Sequence, residues 1–383
     1  MVLATHYIMA MPQRNWLERA ASSIGSHGWA GVDLFFVLSG FLITGILLDS
    51  KGQRNYLRNF YARRFLRIFP LYYGFLTVLL FGMITVKLMA IWGASAPHLT
   101  NLWHIQPWLW TYTFNIACAF GHGSAHLGQL WSLSVEEQFY LIWPLVIMLV
   151  PRKYLLQVCL ALIITALFLR LGLALWMPQI DVYFLTPTRM DSLAFGALAA
   201  LLIRVIKNLD QLRKFAAVVF YGVGALLAIR FILALFGRSA AVAHQGRIVQ
   251  GIISFKYLWD NVFIFTVVGL FFFSLLLISI LPGSWLGQVF SNIFRVGSIR
   301  TAGKYSYGWY VFHFPLWTFS ITFLAKEGLL HAVSFHLPVY LIVVVMNFWV
   351  SFFLASTSYH LYEKHFLKLK RYFPEKNSDC RKQ

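Results

Sequence analysis

Ionisable side chains stand inside apolar segments at three places in the first half of the chain. His6 is the only ionisable residue between Met1 and Met11, Asp33 lies in the segment GVDLFFVLSG, and Glu136 and Glu137 adjoin in WSLSVEEQFY. Imidazole is the side chain best suited to take a proton at neutral pH. A charged group at membrane depth costs a few kcal/mol, so each such group is a candidate for function. These residues predict a proton acceptor, an orienting acid and a polar site.

Each of these residues also has a structural interpretation. A lone histidine in an apolar segment is often a buried structural residue. Asp33 at the start of a helix would be favoured by the helix dipole. Ser134 followed by Glu137 resembles a capping box that opens the next helix. The residue types alone leave both interpretations open.

Two further candidate sites lie later in the chain. Arg189 and Asp191 open an apolar segment in TRMDS, where they could contact a substrate or form a structural ion pair. His313 lies in YGWYVFHFPL, two residues before Pro315. A proline frees a backbone carbonyl within a helix, so a histidine bonded to that carbonyl is the structural alternative to a functional one.

A basic cluster precedes the third apolar segment in RRFLRIFPLYY. Arg63 and Arg67 are four residues apart, so with Arg64 nearby they could clamp a phosphate or diphosphate from one helical face, ahead of Tyr72. Ordinary anchoring by positive charge on the cytoplasmic side is the alternative. The two histidines of HGSAH, in 122–126, have no evident third ligand, so we predict no metal site.

The composition is that of a membrane protein. Of 383 residues, 59% are hydrophobic and 12% are charged, against roughly 25% charged in soluble domains. The net charge of +19 comes from Lys and Arg grouped in short segments between apolar runs. Positive charge in short loops holds those loops on the cytoplasmic side of a membrane, so this arrangement is typical of a membrane protein. It argues against nucleic-acid binding.

The elements that must position the candidates are membrane-spanning helices. A span needs about 20 apolar residues, and candidate segments fall near 31–48, 68–92, 138–150 (short), 154–176, 186–203, 215–236, 258–281, 305–325 and 337–362. Residues 1–11 would reach only about 16 Å as a helix. We therefore predict an all-α polytopic transmembrane bundle of about ten spans with a truncated first span. One membrane domain is expected over 1–362, followed by a basic cytoplasmic tail over 363–383.

Charge predicts the orientation of this bundle. If both termini lie in the cytoplasm, the cytoplasmic segments hold 22 Lys and Arg and the outer segments hold 7. The outer segment 93–137 contains no Lys or Arg. We expect part of it to lie in the membrane interface, where Trp103, Trp108 and Trp110 can bury their rings and keep their N–H groups in water.

Taken together, these segments resemble acyltransferase family 3, which includes membrane O-acetylases of bacterial surface polysaccharides. Five motifs occur in the family's order and cover most of the chain: 31–43, 63–70, 131–144, 189–191 and 305–316. The resemblance implies that acyl-CoA, commonly acetyl-CoA, is a cytoplasmic co-substrate and that no cofactor is permanently bound. It implies a saccharide acceptor, possibly lipid-linked, such as lipopolysaccharide O-antigen or exopolysaccharide, and a multi-pass location in the bacterial inner membrane.

The resemblance also implies residue roles. The family carries an Arg, ten residues and then a His of the acyl-transfer centre in its first helix; His6 stands at that His, and the Arg would precede Met1. His6 would then be the general base, and Glu136 or Asp33 would orient it. Arg63, Arg64 and Arg67 would hold the phosphates of acyl-CoA. The remaining expected substrate contacts are Tyr72, Glu137, Arg189, Asp191 and His313.

A transporter or flippase for a glycoside or small anionic solute is the alternative function. Ionisable residues within the membrane fit a translocation path equally well. The ordered motif set, together with the lack of detectable repeated halves, favours the acyltransferase.

Overall fold

A computed structural model describes residues 2–8, 25, 27–91, 100–124, 126–237, 256–326 and 337–374. Within these ranges the chain forms helices and no strand, which confirms the predicted all-α class. The α-helices are α1 (Val2–Ile8), α2 (Ala30–Ser50), α3 (Tyr56–Ile91), α4 (Thr100–Trp110), α5 (Phe114–Ala119), α6 (Leu130–Leu149), α7 (Leu155–Trp176), α8 (Thr186–Val205), α9 (Leu209–Gly237), α10 (Ile264–Ile280), α11 (Trp285–Arg295), α12 (Gly297–Lys326), α13 (Leu337–Ser358) and α14 (Lys364–Lys368).

The nine spans predicted after the truncated first one all fall on helices of this set. In the described part of the chain, six helical segments are long and apolar enough to cross a membrane, and they fall on α2, α3, α7, α9, α10 and α13. Spans were also predicted where α6, α8 and α12 lie, and these three helices carry more polar residues. The chain is therefore a multi-pass membrane protein. The short first span corresponds to α1, and residues 9–11 lie outside the described residues.

Two helices begin earlier than their apolar runs. The span predicted at 138–150 belongs to α6, which starts at Leu130, and the span predicted at 68–92 belongs to α3, which starts at Tyr56. The extra turns contain the polar and charged residues of the candidate site. These side chains are accommodated because neighbouring helices of the bundle bond or cover them.

The described chain divides into two compact units. The first unit contains residues 27–48 and 146–300, and the second contains 3–8, 49–145 and 301–374. Most of α2 and the whole of α7 to α11 therefore belong to the first unit. The second unit contains α3 to α5, α13 and α14 and most of α1, α6 and α12.

In the first unit, α2 and α8 touch backbone to backbone. A Cβ atom at Gly40 would lie 2.0 Å from the carbonyl oxygen of Leu193, and one at Gly196 would lie 1.9 Å from that of Val37. Glycine is thus required on both helices at this crossing. The contact holds the start of α2, with Asp33, beside the start of α8.

In the second unit, α3 and α6 run in opposite directions. The Tyr56 hydroxyl donates to the Pro144 carbonyl and the Tyr61 hydroxyl, further along α3, donates to the Leu141 carbonyl. Beyond these contacts α3 holds the α4–α5 hairpin, since Tyr72 donates to the Leu109 carbonyl at 2.8 Å.

The described part of the predicted cytoplasmic tail continues as helix. Residues 364–374 contact the start of α3, where the Asn59 amide donates to the Pro374 carbonyl at 2.9 Å. Arg63 donates to the Phe373 carbonyl at 3.0 Å. The first part of the tail thus packs on the membrane domain, and the boundary at 362 remains a prediction.

Candidate active site

Two histidines of the second unit form a hydrogen-bonded pair. Nδ1 of His6, on α1, lies 2.9 Å from Nε2 of His313, on α12. The rings stack with centroids 5.2 Å apart at 12°. His313 is fully buried and its Nδ1 lies 2.7 Å from the Tyr310 carbonyl oxygen.

These contacts determine the proton positions in the neutral pair. A carbonyl only accepts, so Nδ1 of His313 must carry a proton and Nε2 must carry a lone pair. Nδ1 of His6 then donates to that lone pair. The remaining nitrogen, Nε2 of His6, is left with a lone pair that can accept a proton from a substrate.

The structure thus places His313 where Glu136 or Asp33 was expected, as the hydrogen-bond partner of the His6 ring. The structural alternative for His313 named the wrong carbonyl. Pro315 lacks an N–H and so frees the Val311 carbonyl. Gln129 donates to that oxygen at 3.1 Å, while His313 bonds the carbonyl of Tyr310.

Residues that sequence reasoning missed anchor α6 beside the histidine pair. The Tyr310 hydroxyl lies 2.6 Å from Ser132 Oγ and 2.9 Å from the Gln129 carbonyl oxygen. Tyr310 belongs to the motif YGWYVFHFPL and stands three residues before His313. Residues three apart lie on the same side of a helix, so this spacing could have indicated that Tyr310 is near the histidine pair.

The two glutamates lie within α6, and the capping-box interpretation is wrong. Because α6 begins at Leu130, Ser134 is already inside the helix, and its hydroxyl donates to the Leu130 carbonyl at 3.3 Å. Glu136 accepts a hydrogen bond from the Tyr140 hydroxyl. Oε1 of Glu137 is buried and has no hydrogen-bond partner among the described residues.

Aromatic residues and an arginine surround this carboxylate. Glu137 interacts electrostatically with the hydroxyls of Tyr72, Tyr112 and Tyr307 and with Arg64. The structure therefore brings together four predicted site residues, namely Glu136, Glu137, Arg64 and Tyr72.

The three arginines of α3 have different surroundings. Arg63 donates to backbone carbonyls of the C-terminal segment, including that of Phe373. Arg64 lies over the Tyr140 ring at 5.3 Å. Arg67 interacts electrostatically with the buried carboxylate of Glu363. Arg63 and Arg67 are on one helical face, as predicted, and each already has a protein neighbour.

The first unit contains the other predicted charges in two buried ion pairs. Arg189 donates to Asp33 at 2.8 Å, and Ser192 donates to the same carboxylate oxygen at 2.7 Å. Asp191 pairs with Arg170 at 2.7 Å. All four charged side chains are fully buried. The ion pair considered between Arg189 and Asp191 is wrong, because each residue pairs with a different helix.

Sequence reasoning missed Arg170, although it stands inside the predicted span 154–176. It donates to Asp191 and Thr266 and to the carbonyls of Val262 and Thr188. A charged residue inside a span was a signal in its own right. Its partner could not be identified without the helix packing.

Comparison with known proteins agrees with the motif order. The family described as an acyltransferase domain, acyltransferase 3, matches residues 1–356. The chain is 30% identical over 305 residues to the peptidoglycan O-acetyltransferase OatA of Listeria monocytogenes, covering 76% of this chain and 45% of that protein. It is 25% identical over 367 residues to the O-acetyltransferase OatA of Staphylococcus aureus, covering 92% and 55%.

The chain spans about half the length of these curated relatives. No solved structure matches it significantly. A family match over residues 1–356 shows that the chain belongs to acyltransferase family 3.

Proposed function

We propose that the protein is a membrane O-acetyltransferase that moves an acetyl group from cytoplasmic acetyl-CoA to a hydroxyl of a cell-surface saccharide. The His6–His313 pair carries the proposal, because it leaves one imidazole nitrogen able to accept a proton beside the buried polar groups of the second unit. The names of the relatives, which describe O-acetyltransferases, support the same reaction.

The pair supplies the proton chemistry of the reaction. Nε2 of His6 takes the proton of the acceptor hydroxyl as its oxygen attacks the thioester carbonyl. The C–S bond then breaks, and the leaving thiolate takes the proton back from the imidazolium. His313 supports the charged state by accepting from Nδ1 of His6, as an orienting partner does in other acyl transferases.

The remaining candidates serve binding in this proposal. Arg63, Arg64 and Arg67 attract the phosphates of acyl-CoA at the cytoplasmic end of α3, and the acyl group reaches inward toward the histidines. Glu136 and Glu137 face the acceptor from α6, with Tyr72 beside them.

In the first unit, the buried ion pairs of Asp33, Arg189 and Asp191 are the further substrate contacts of this proposal. The protein would lie in the bacterial inner membrane with both termini in the cytoplasm and would act on a surface glycan such as O-antigen, exopolysaccharide or peptidoglycan.

The test is glycan chemistry in the host. Deleting the gene should remove an O-acetyl ester from an envelope glycan, and complementation should restore it. Complementation with His6→Ala should fail although the protein reaches the membrane, whereas His104→Gln, a change at an exposed histidine of α4, should succeed. Restoration of the ester by His6→Ala would remove His6 from the mechanism.

The buried pairs of the first unit keep a transporter as a second candidate. Two intramembrane ion pairs, Asp33–Arg189 and Asp191–Arg170, are of the kind that marks solute or proton paths. If deletion leaves every glycan ester unchanged, while uptake or export of a glycoside changes, the transporter is favoured.

A further inference from the structure

The α4–α5 hairpin reaches into the second unit and ends in a turn at 111–113. Tyr72 and Tyr73 of α3 donate to the carbonyls of Leu109 and Trp110 at 2.8 and 3.0 Å, just before this turn. Tyr72 lies about 20 Å along α3 from Thr85, the end of the apolar segment of α3 that is nearer the predicted outer side, and this is about two thirds of a hydrocarbon layer of about 30 Å. The hairpin therefore extends well beyond the interface position expected for its tryptophans.

The residue at the tip, Tyr112, has an unusual backbone conformation. Its φ is 54°, in the left-handed region that residues other than glycine rarely adopt. Its carbonyl accepts from the Gln138 amide at 2.8 Å, and its ring stacks on Tyr72 with centroids 4.2 Å apart. The surroundings hold a strained tyrosine where a glycine would fit more easily, and such strain is typical of functional positions.

The hydroxyl of Tyr112 makes no hydrogen bond to the described part of the protein. The residue itself is buried. Oε1 of Glu137 is in the same situation. The two groups interact electrostatically but do not bond each other. A buried donor and a buried acceptor thus stand near one another, one contributed by the hairpin and one by α6.

A ligand for this pair must satisfy both groups. A carboxylate only accepts and a tyrosine hydroxyl can donate, so a group that donates to Glu137 and accepts from Tyr112 is required. An alcohol hydroxyl does both. A thioester carbonyl only accepts and would leave the carboxylate unsatisfied, which is costly in a buried site.

We propose that Tyr112 and Glu137 together bind a hydroxyl of the saccharide acceptor. This inference rests on the proposed function and specifies the acceptor end of the same site. Tyr112 is a new binding residue in it, and the tip of the α4–α5 hairpin is the element that supplies it.

The test compares Tyr112→Phe with Tyr73→Phe in the complemented deletion host. The first change removes the hydroxyl and keeps the stacked ring. The second removes a neighbouring hydroxyl that bonds a backbone carbonyl. We expect Tyr112→Phe to lower the ester content of the host's own glycans about tenfold, the effect of losing one buried hydrogen bond, and Tyr73→Phe to keep it within twofold. Purified Tyr112→Phe should melt at the wild-type temperature.

The double variant Tyr112→Phe/Glu137→Gln gives the second readout. If both residues bind one hydroxyl, the double variant should be no more than about twofold worse than Glu137→Gln alone, since contacting sites are not additive. The inference would be overturned if Tyr112→Phe kept the wild-type ester content or melted at a lower temperature. It would also be overturned if the loss in the double variant equalled the product of the two single losses. Absence of the ester with the wild-type gene would instead refute the proposed function, and this inference with it.

Discussion

At the scale of single residues, the direction of the hydrogen bonds through His313 decides which nitrogen of His6 can act as a base. The chain of donors runs from Nδ1 of His6 to Nε2 of His313 and from Nδ1 of His313 to the Tyr310 carbonyl. The acceptor nitrogen in the middle is the critical atom, because it holds His6 in the tautomer whose Nε2 is basic.

This arrangement predicts different effects for two substitutions of His313. Glutamine has a side-chain oxygen that can accept from Nδ1 of His6, whereas leucine has none. We expect His313→Leu to lose at least about a hundredfold in acetyl transfer, within the range general-base catalysis supplies, and His313→Gln to retain more than His313→Leu. Initial rates of ester formation in membranes, normalised to protein content, measure both. Equal rates for the two variants would contradict an accepting role of His313.

The buried pair of Arg170 and Asp191 predicts a large loss of stability when it is broken. Arg170→Met leaves the Asp191 carboxylate buried without its cation, at a cost of about 3–5 kcal/mol. Removing both charges in Arg170→Met/Asp191→Leu should recover much of this loss. Lys214→Ala breaks an exposed pair with Asp210 and should leave the melting temperature unchanged. The melting temperatures of the detergent-solubilised variants measure these differences. A double variant that melts as low as Arg170→Met would contradict the prediction.

At the scale of elements, the α2–α8 crossing depends on glycine. Gly196→Ala would place a methyl group 1.9 Å from the Val37 carbonyl oxygen, so the two helices must separate. We expect a loss of at least about 2 kcal/mol, as for overpacked cores. Gly222→Ala lies in a helix with open space around it and should be neutral or stabilising, by up to about 1 kcal/mol. The melting temperatures of the two variants test this prediction. Equal melting temperatures for Gly196→Ala and Gly222→Ala would contradict the close contact between α2 and α8.

The sequence predicts these elements unevenly. Long apolar runs predicted nine spans that all fall on helices, because each run must be buried in lipid or protein to be stable, and six helical segments of the described chain are long and apolar enough to cross a membrane. The start of α6 was misplaced because its first turns, from Leu130 to Glu137, are polar and are buried only by packing. The α4–α5 hairpin was expected at the interface. Its short helices lack a span-length apolar run, and only their contacts with α3 show how far they reach.

The sequence indicated candidate residues more readily than their partners, since the partners expected for His6, Arg189 and Asp191 differ from those in the structure. Each charged residue in an apolar segment could be recognised singly, since its cost is local. Partners such as Arg170 for Asp191 and His313 for His6 are distant in the sequence, and periodicity carries no information about them. The uncharged Tyr112 and Tyr310 were missed because they carry no such signal, whereas Arg170 was missed although its charge stands within an apolar run.

At the scale of the whole molecule, the distribution of Lys and Arg predicts one orientation for both units. The turn before α3 and the turn before α9 should lie in the cytoplasm, and the connection from α7 to α8 should lie outside. Asn55, Asn208 and Gln179 are exposed residues of these three connections. Single-cysteine variants at these positions, with the native cysteines replaced, report each side by their reaction with a membrane-impermeable maleimide in intact cells.

We expect Gln179→Cys to react in intact cells and Asn55→Cys and Asn208→Cys to react only after permeabilisation. The reason is energetic: cytoplasmic segments carry the excess of 22 Lys and Arg over 7, and moving these loops across the bilayer is opposed. Since Asn55 belongs to the second unit and Asn208 to the first, agreement between them would place the arginines of α3 on the acyl-CoA side. Labelling of Asn55→Cys in intact cells would put those arginines outside and contradict their proposed role with a cytoplasmic donor.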